Sequence, residues 1–151
     1  MKTLLVVYHS QSGASARLAM AVSEGARSEG SIAVQVERAW DCGVVELAAA
    51  DALVLVAAEN NGYLSGGMKD FLDRVFYPAI DRSLVLPAAL VLSAGSDGRN
   101  AQRQVQRILS GIPFTEAMPA LICRGEPSAA QLAECRELGE GLAAGLDMGI
   151  F

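Results

Sequence analysis

Lys2-Thr3-Leu4-Leu5-Val6-Val7-Tyr8-His9-Ser10-Gln11-Ser12-Gly13-Ala14-Ser15 is the stretch that decides the fold. Leu4 to Val7 is an apolar, partly β-branched run too short for a helix, so Lys2–Tyr8 reads as a strand. Leu18, Ala19, Val22 and Ala26 then recur at helical spacing, so Ser15–Glu29 reads as a helix, stopped by Gly30. Strand, hydroxyl-rich turn and helix follow each other directly. Such a turn leaves free backbone N–H groups at the positive end of the helix dipole. Ser10, Ser12 and Ser15 add hydroxyl donors, and Gly13 lets the backbone come close to a ligand. The set suits a phosphate group; a serine-capped helix of no further function is the plainer alternative. No Gly-Lys-Ser or Gly-Lys-Thr follows, which excludes a nucleoside-triphosphate loop. There is no G-x-G-x-x-G, which argues against a dinucleotide fold. With no cysteine in the turn, the reading is of a phosphate held and not cleaved.

Outward from this stretch, strands and helices alternate. Ile32–Glu37 alternates apolar and polar residues, as in a half-exposed strand. Cys42–Ala50 reads as one short helix. Ala52–Ala58 is apolar throughout, which suits a parallel strand covered on both faces. A polar turn, Glu59–Gly67, precedes a helix from Met68 to about Tyr77, with Pro78 expected to end it. Leu86–Ser93 is the fourth strand, and Gly95–Asn100 the next turn. Ala101, Val105, Ile108 and Ile112 mark the buried face of the fourth helix. Ala117–Cys123 is the fifth strand, weakened at Pro119. Ser128 and Gln131 form a capping box for the last helix, which buries Leu132, Cys135, Leu138 and Leu142.

This alternation predicts a single α/β domain over residues 1–151, a doubly wound five-stranded parallel sheet of order 2-1-3-4-5. Strands one and three are then neighbours, and ligands bind outside their carboxyl ends, where the chain reverses direction. A phosphoacceptor receiver domain shares that order. It needs acidic residues after strands one and three, where this chain has Tyr8-His9 and Ala57-Ala58, and is excluded.

Composition narrows the class. The chain has 151 residues, 52% hydrophobic and 19% charged, which excludes disorder. A net charge of -5 argues against a nucleic-acid surface. No run is long enough to span a membrane and no signal peptide is evident. Cys42, Cys123 and Cys135 form no C-x-x-C pair and fit buried thiols in a reducing cytoplasm. One histidine and no clustered ligands leave no metal site.

The turn after strand three reads Ala57-Ala58-Glu59-Asn60-Asn61-Gly62-Tyr63-Leu64-Ser65-Gly66-Gly67-Met68-Lys69-Asp70-Phe71-Leu72-Asp73-Arg74. Together with His9-Ser10-Gln11-Ser12-Gly13-Ala14-Ser15 it resembles the flavodoxin-like superfamily, and within it the NAD(P)H-dependent FMN and quinone reductases. Glu59, Asn61, Gly62, Gly66, Lys69 and Asp73 stand at matching positions. Ala57-Ala58 replaces the usual Thr-Pro, Asn60 stands where an aromatic ring often packs near the flavin, and Ala14 replaces an asparagine. Tyr63 or Trp40 would have to supply a missing ring.

The resemblance implies FMN as cofactor. Its phosphate would lie against Ser10, Gln11, Ser12, Gly13, Ala14 and Ser15. Its ring would lie against Ala58, Glu59, Asn60, Asn61, Gly62 and Tyr63, and the ring's polar edge against Ser93, Ala94, Gly95 and Gly98. Gly62 would let its peptide reorient between redox states. The implied function is an oxidoreductase passing electrons from NAD(P)H through FMN to a quinone or similar acceptor; a homodimer is compatible with it. A flavodoxin-type electron carrier and a scaffold that has lost FMN are the alternatives. No catalytic side chain is assigned: His9 reads either as a proton donor or as a loop residue packed beside the phosphate. Arg99, Arg103 and Arg107 form a helix stripe, either solvated or set to meet the extra phosphate of NADPH.

Overall fold

A computed structural model describes residues 1–151. Its strands are β1 (Thr3–Tyr8), β2 (Ala33–Arg38), β3 (Ala52–Asn60), β4 (Tyr63–Leu64), β5 (Pro87–Ala94), β6 (Thr115–Glu116) and β7 (Leu121–Arg124). Its helices are α1 (Ala14–Glu29), α2 (Val44–Ala48), α3 (Gly66–Asp81), α4 (Arg99–Gly111) and α5 (Ala129–Asp147). The parallel sheet runs β2-β1-β3-β5, with β6 and β7 sharing the outer edge and β4 folded back antiparallel on β3. This is the doubly wound, flavodoxin-like order, with one parallel position divided in two.

The sheet is covered on both faces because its strands are apolar on both. Leu5 and Val7, Leu53 and Leu55, and Leu90 and Leu92 point to the side of α3 and α4. Leu4 and Val6, Val54 and Val56, and Ala89 and Val91 point to α1 and α5. Such strands read as continuous hydrophobic runs. β2, at the other edge, is half-exposed along most of its length.

Helices α1 and α5 touch backbone to backbone. A Cβ on Gly25 would lie 1.9 Å from the Arg136 carbonyl oxygen, and one on Gly139 would lie 2.0 Å from the Val22 carbonyl oxygen. Helix α5 starts as expected: Gln131 N–H donates to Ser128 Oγ, and Ser128 N–H to Gln131 Oε1.

Four expectations need correction. Pro78 does not end α3. It removes one N–H, but Val75 and Ala79 on either side are buried, and Arg82 N–H closes on the Pro78 carbonyl at 3.2 Å, so the helix continues. The short helix expected over Cys42–Ala50 is present but shorter: α2 covers Val44–Ala48, a 3₁₀ turn at Ala39–Asp41 comes before it, and Gly43 N–H donates to Glu46 between them. The polar turn 59–67 contains a hairpin, since Asn61 and Gly62 have positive φ (51° and 80°) and Asn60 pairs with Tyr63. The fifth strand does not run through Ala117–Cys123, because the chain leaves the sheet at Met118-Pro119 and returns at Leu121.

Candidate cofactor site

The carboxyl ends of β1, β3 and β5 open on one crevice. Tyr8 pairs with Val56, and Glu59 with Ala94, so the turns after the three strands are neighbours. The three clusters named from the sequence therefore lie at one end of the sheet.

The turn after β1 is built around Gly13, which caps α1 with a left-handed φ of 103° and has open space in front of its missing Cβ. Gly13 N–H donates to Ser10 Oγ at 3.0 Å, which fixes the turn and leaves the Ser10 hydroxyl proton to donate elsewhere. The next helical N–H groups, of Ala14, Ser15 and Ala16, have no intrahelical partner. No acidic residue occupies the first turn. Arg17 is drawn the other way, toward Glu126 (3.8 Å) and the Pro127 carbonyl. Gln11 and Ser12 are exposed, and Ser15 is buried. Free N–H groups, hydroxyls and an unobstructed glycine fit the phosphate of FMN.

The hairpin Asn60–Tyr63 forms the second wall, and three side-chain contacts tie it to α4. Ala101 N–H donates to Glu59 Oε2 at 3.0 Å. Leu64 N–H donates to Gln104 Oε1 at 2.7 Å. The Asn100 amide donates to the Gly62 carbonyl. Ser96 Oγ also reaches Glu59 Oε1 at 3.5 Å, joining the hairpin to the third turn. Glu59 thus caps a helix, and Asn100 fixes one orientation of the peptide that the sequence marks as mobile. Asn100 and Gln104 were not legible as site residues. The Asn-Gly dipeptide was a hairpin signal, but nothing local says which helix will hold it.

The third turn carries Ser93, Ala94, Gly95 and Gly98 to the crevice mouth. Gly95 is exposed with no atom near its missing Cβ, whereas Gly98 is buried at φ 67° and caps α4. Asp97 Oδ1 accepts from Arg99 N–H at 3.1 Å. Ala58 lies in β3, and its carbonyl accepts from Ser65 N–H at 2.8 Å.

His9 is placed by packing. Its Nδ1 lies 3.2 Å from Ser65 Oγ, and its ring meets Trp40 edge-on at 5.6 Å. A Cβ on Gly67 would fall 2.0 Å from His9 Cδ2, so Gly67 is the space the imidazole occupies. His9, Trp40, Tyr8, Ser10 and Arg38 surround a cavity of about 140 Å³ beside the serine turn. Trp40 therefore stands beside the serine turn. Tyr63 lies in a groove with Lys69, Gln104, Arg107 and Ile108, between α3 and α4. The three thiols are buried. Burial, then the nearby Glu46, pushes the Cys42 thiol up to about 12, so it stays protonated at neutral pH. No group of residues resembles a metal site.

The profile of the NADPH-dependent FMN reductase family matches residues 44–122, just over half of the sequence, and the chain belongs to that family. The match runs from α2 into β7 and leaves out the serine turn, which stands on its own geometry. No curated protein sequence matches. Among solved structures, an archaeal flavodoxin superposes with a TM-score of 0.82 at 24% identity, over 95% of this chain and 98% of its own. A flavodoxin described as WrbA-like, from Agrobacterium tumefaciens, gives 0.81 at 20%, over 98% and 99%. Rubredoxin oxygen:oxidoreductase from Desulfovibrio gigas gives 0.85 at 16%, with 99% of this chain covering only 37% of that one. These likenesses establish the flavodoxin-like fold. The family assignment makes the protein a flavoprotein with FMN as its cofactor.

The hairpin anchor gives a test. Glu59→Ala removes a charged acceptor from the first turn of α4, a contact of about 1.5–3 kcal/mol. The cofactor-free protein should unfold at lower urea concentration than the wild type. A loss of FMN affinity with unchanged cofactor-free stability would show that Glu59 serves the ligand and not the helix.

Proposed function

We propose that this chain is an FMN-dependent oxidoreductase that takes reducing equivalents from NAD(P)H and passes them to a small acceptor such as a quinone. The observation that carries the reading is that two of the three turns around the crevice carry no aromatic ring. Neither Asn60–Gly62 nor Ser93–Gly98 contains an aromatic residue, and the nearest ring on the hairpin, Tyr63, lies in the groove toward α4. A nicotinamide needs such an uncovered face, whereas a dedicated carrier gains from a ring that shields the flavin.

FMN, when bound, supplies the two-electron chemistry. The chain supplies the rest. Ser10, Gln11, Ser12, Gly13, Ala14 and Ser15 hold the phosphate, in part through the α1 N–H groups. The hairpin from Ala58 to Tyr63 presents backbone N–H groups to the ring and is kept in shape by Asn100 and Gln104. Ser93, Ala94, Gly95 and Gly98 border the ring's polar edge. Arg107 and Lys69 beside Tyr63 form a cationic groove next to the hairpin, though Lys69 is already paired with Asp73 at 2.6 Å. That groove suits the extra phosphate of NADPH.

Under anaerobic conditions, NADPH alone should bleach the visible absorbance of the FMN-loaded protein, and a quinone should restore it. Absence of bleaching with either nicotinamide cofactor would overturn the enzyme and leave the carrier. Arg107→Gln should raise the KM for NADPH about tenfold, the weight of one charged hydrogen bond, and leave that for NADH unchanged. Equal effects on both would make the arginine stripe a solvated face.

A further inference from the structure

The edge of the sheet opposite β2 has a gap, and the gap holds a cavity. Ala88 pairs with Glu116, yet Val91 pairs with Leu121, so two residues of β5 face four of the edge segment. The chain bulges outward at Ala117–Ala120, where Pro119 has no N–H to continue the ladder. Behind the bulge lies a cavity of about 400 Å³, walled by Ala89, Leu90, Val105, Leu109, Phe114 and Met118. None of its lining residues is one of the crevice residues.

One wall carries an unused donor. Thr115 N–H donates to the Leu86 carbonyl and Ala117 N–H to the Ala88 carbonyl. Alternate residues of a parallel strand address alternate neighbours, so Leu90 is the next residue of β5 to face this edge. No carbonyl of the 117–120 segment and no side chain accepts from its N–H. Leu90 is 5% exposed, and a buried peptide donor without a partner is uncommon. At the mouth, Gln106 donates to Glu116 Oε2 at 3.3 Å, and Ser110 stands beside them. Glu116 is the one charged lining residue and there is no cation, so an anion has no partner there.

We infer that this gap is a second binding site, for a compact, uncharged, largely apolar molecule carrying one carbonyl oxygen. The apolar walls take its body, and the Leu90 N–H donates to its oxygen. The size is at the small end for ligand pockets, which are mostly apolar with a few placed polar groups. A bulge conserves the register of β5 on both sides while leaving one donor unpaired on an apolar wall; the ligand completes the ladder that the bulge interrupts.

The test uses the FMN-loaded, ¹⁵N-labelled full chain, with acetophenone as probe and ethylbenzene as its hydrocarbon twin. Acetophenone should saturate, move the Leu90 amide proton downfield, and bind about three- to tenfold more tightly than ethylbenzene, the worth of one neutral hydrogen bond. Filling the gap with Ala120→Leu, or its mouth with Ser110→Leu on the exposed side of α4, should abolish the shift while FMN fluorescence quenching is retained. Ser110→Leu alone decides the matter if Ala120→Leu does not fold. An unmoved Leu90 amide, equal affinity for the two probes, or undiminished binding to Ser110→Leu would overturn the site and leave a cavity holding water. Because FMN is followed separately, failure here is distinct from failure of the cofactor reading.

Discussion

Gly25→Ala and Gly139→Ala should each destabilise the protein by about 1–3 kcal/mol or more, although the same change in an exposed helix gains about 1 kcal/mol. The sign turns on what the new methyl meets. At Gly25 it meets the Arg136 carbonyl oxygen at 1.9 Å, and at Gly139 the Val22 carbonyl oxygen at 2.0 Å. Both obstacles are main chain within helices, which cannot swing aside as a side chain can. Helices α1 and α5 must separate, and the contacts of Leu18, Val22, Leu138 and Leu142 beneath them loosen together. Gly141 is the internal control. It is exposed on the same helix, and its methyl would lie 3.4 Å from the flexible end of Met118. Gly141→Ala should stabilise, by up to about 1 kcal/mol. Urea midpoints of the three variants read the contrast directly. A stable Gly139→Ala protein would mean that the two helices do not approach this closely.

Those glycines also show where a sequence falls silent. The order of strands was legible because apolar runs and helical periods are local, and few right-handed topologies accommodate five of them. The crevice followed from the order, since the turns after strands one and three must meet at the reversal. What was hidden depends on partners distant along the chain. Gly25 looks like a weak point of a helix until Arg136 is placed against it. Gly67 looks like a second glycine in a turn until His9 fills its space. Glu59 matched a family motif at the flavin, yet its carboxylate is spent on the first turn of α4. Pro78 reads as a stop by local rules, but burial of Val75 and Ala79 carries the helix past it. Pro119 was the reverse case: its local warning was sound, and the strand divides around it.

Ser10→Ala with Ser12→Ala should weaken FMN by more than about tenfold and leave riboflavin nearly untouched. In the proposed site each hydroxyl donates to an ionised phosphate, a bond worth about 1.5–3 kcal/mol. The two are unequal here. Ser10 Oγ also receives the Gly13 N–H at 3.0 Å, so its loss frees the left-handed glycine that sets the turn. Ser12 is exposed and has only its hydroxyl to give. Ser10→Ala alone should therefore cost more than Ser12→Ala alone. The contributions should also prove only weakly sensitive to salt. No lysine or arginine stands in the turn, and Arg17 faces Glu126 instead, so in the proposed site the attraction comes from N–H groups and hydroxyls at contact distance, where screening is slight. Fluorescence quenching of FMN and of riboflavin, each at low and high ionic strength, gives all the comparisons. If both ligands lost the same factor, the turn would not be holding the phosphate. If FMN affinity collapsed in salt, a cation elsewhere would be doing so, and the helix N-terminus would be only a helix N-terminus.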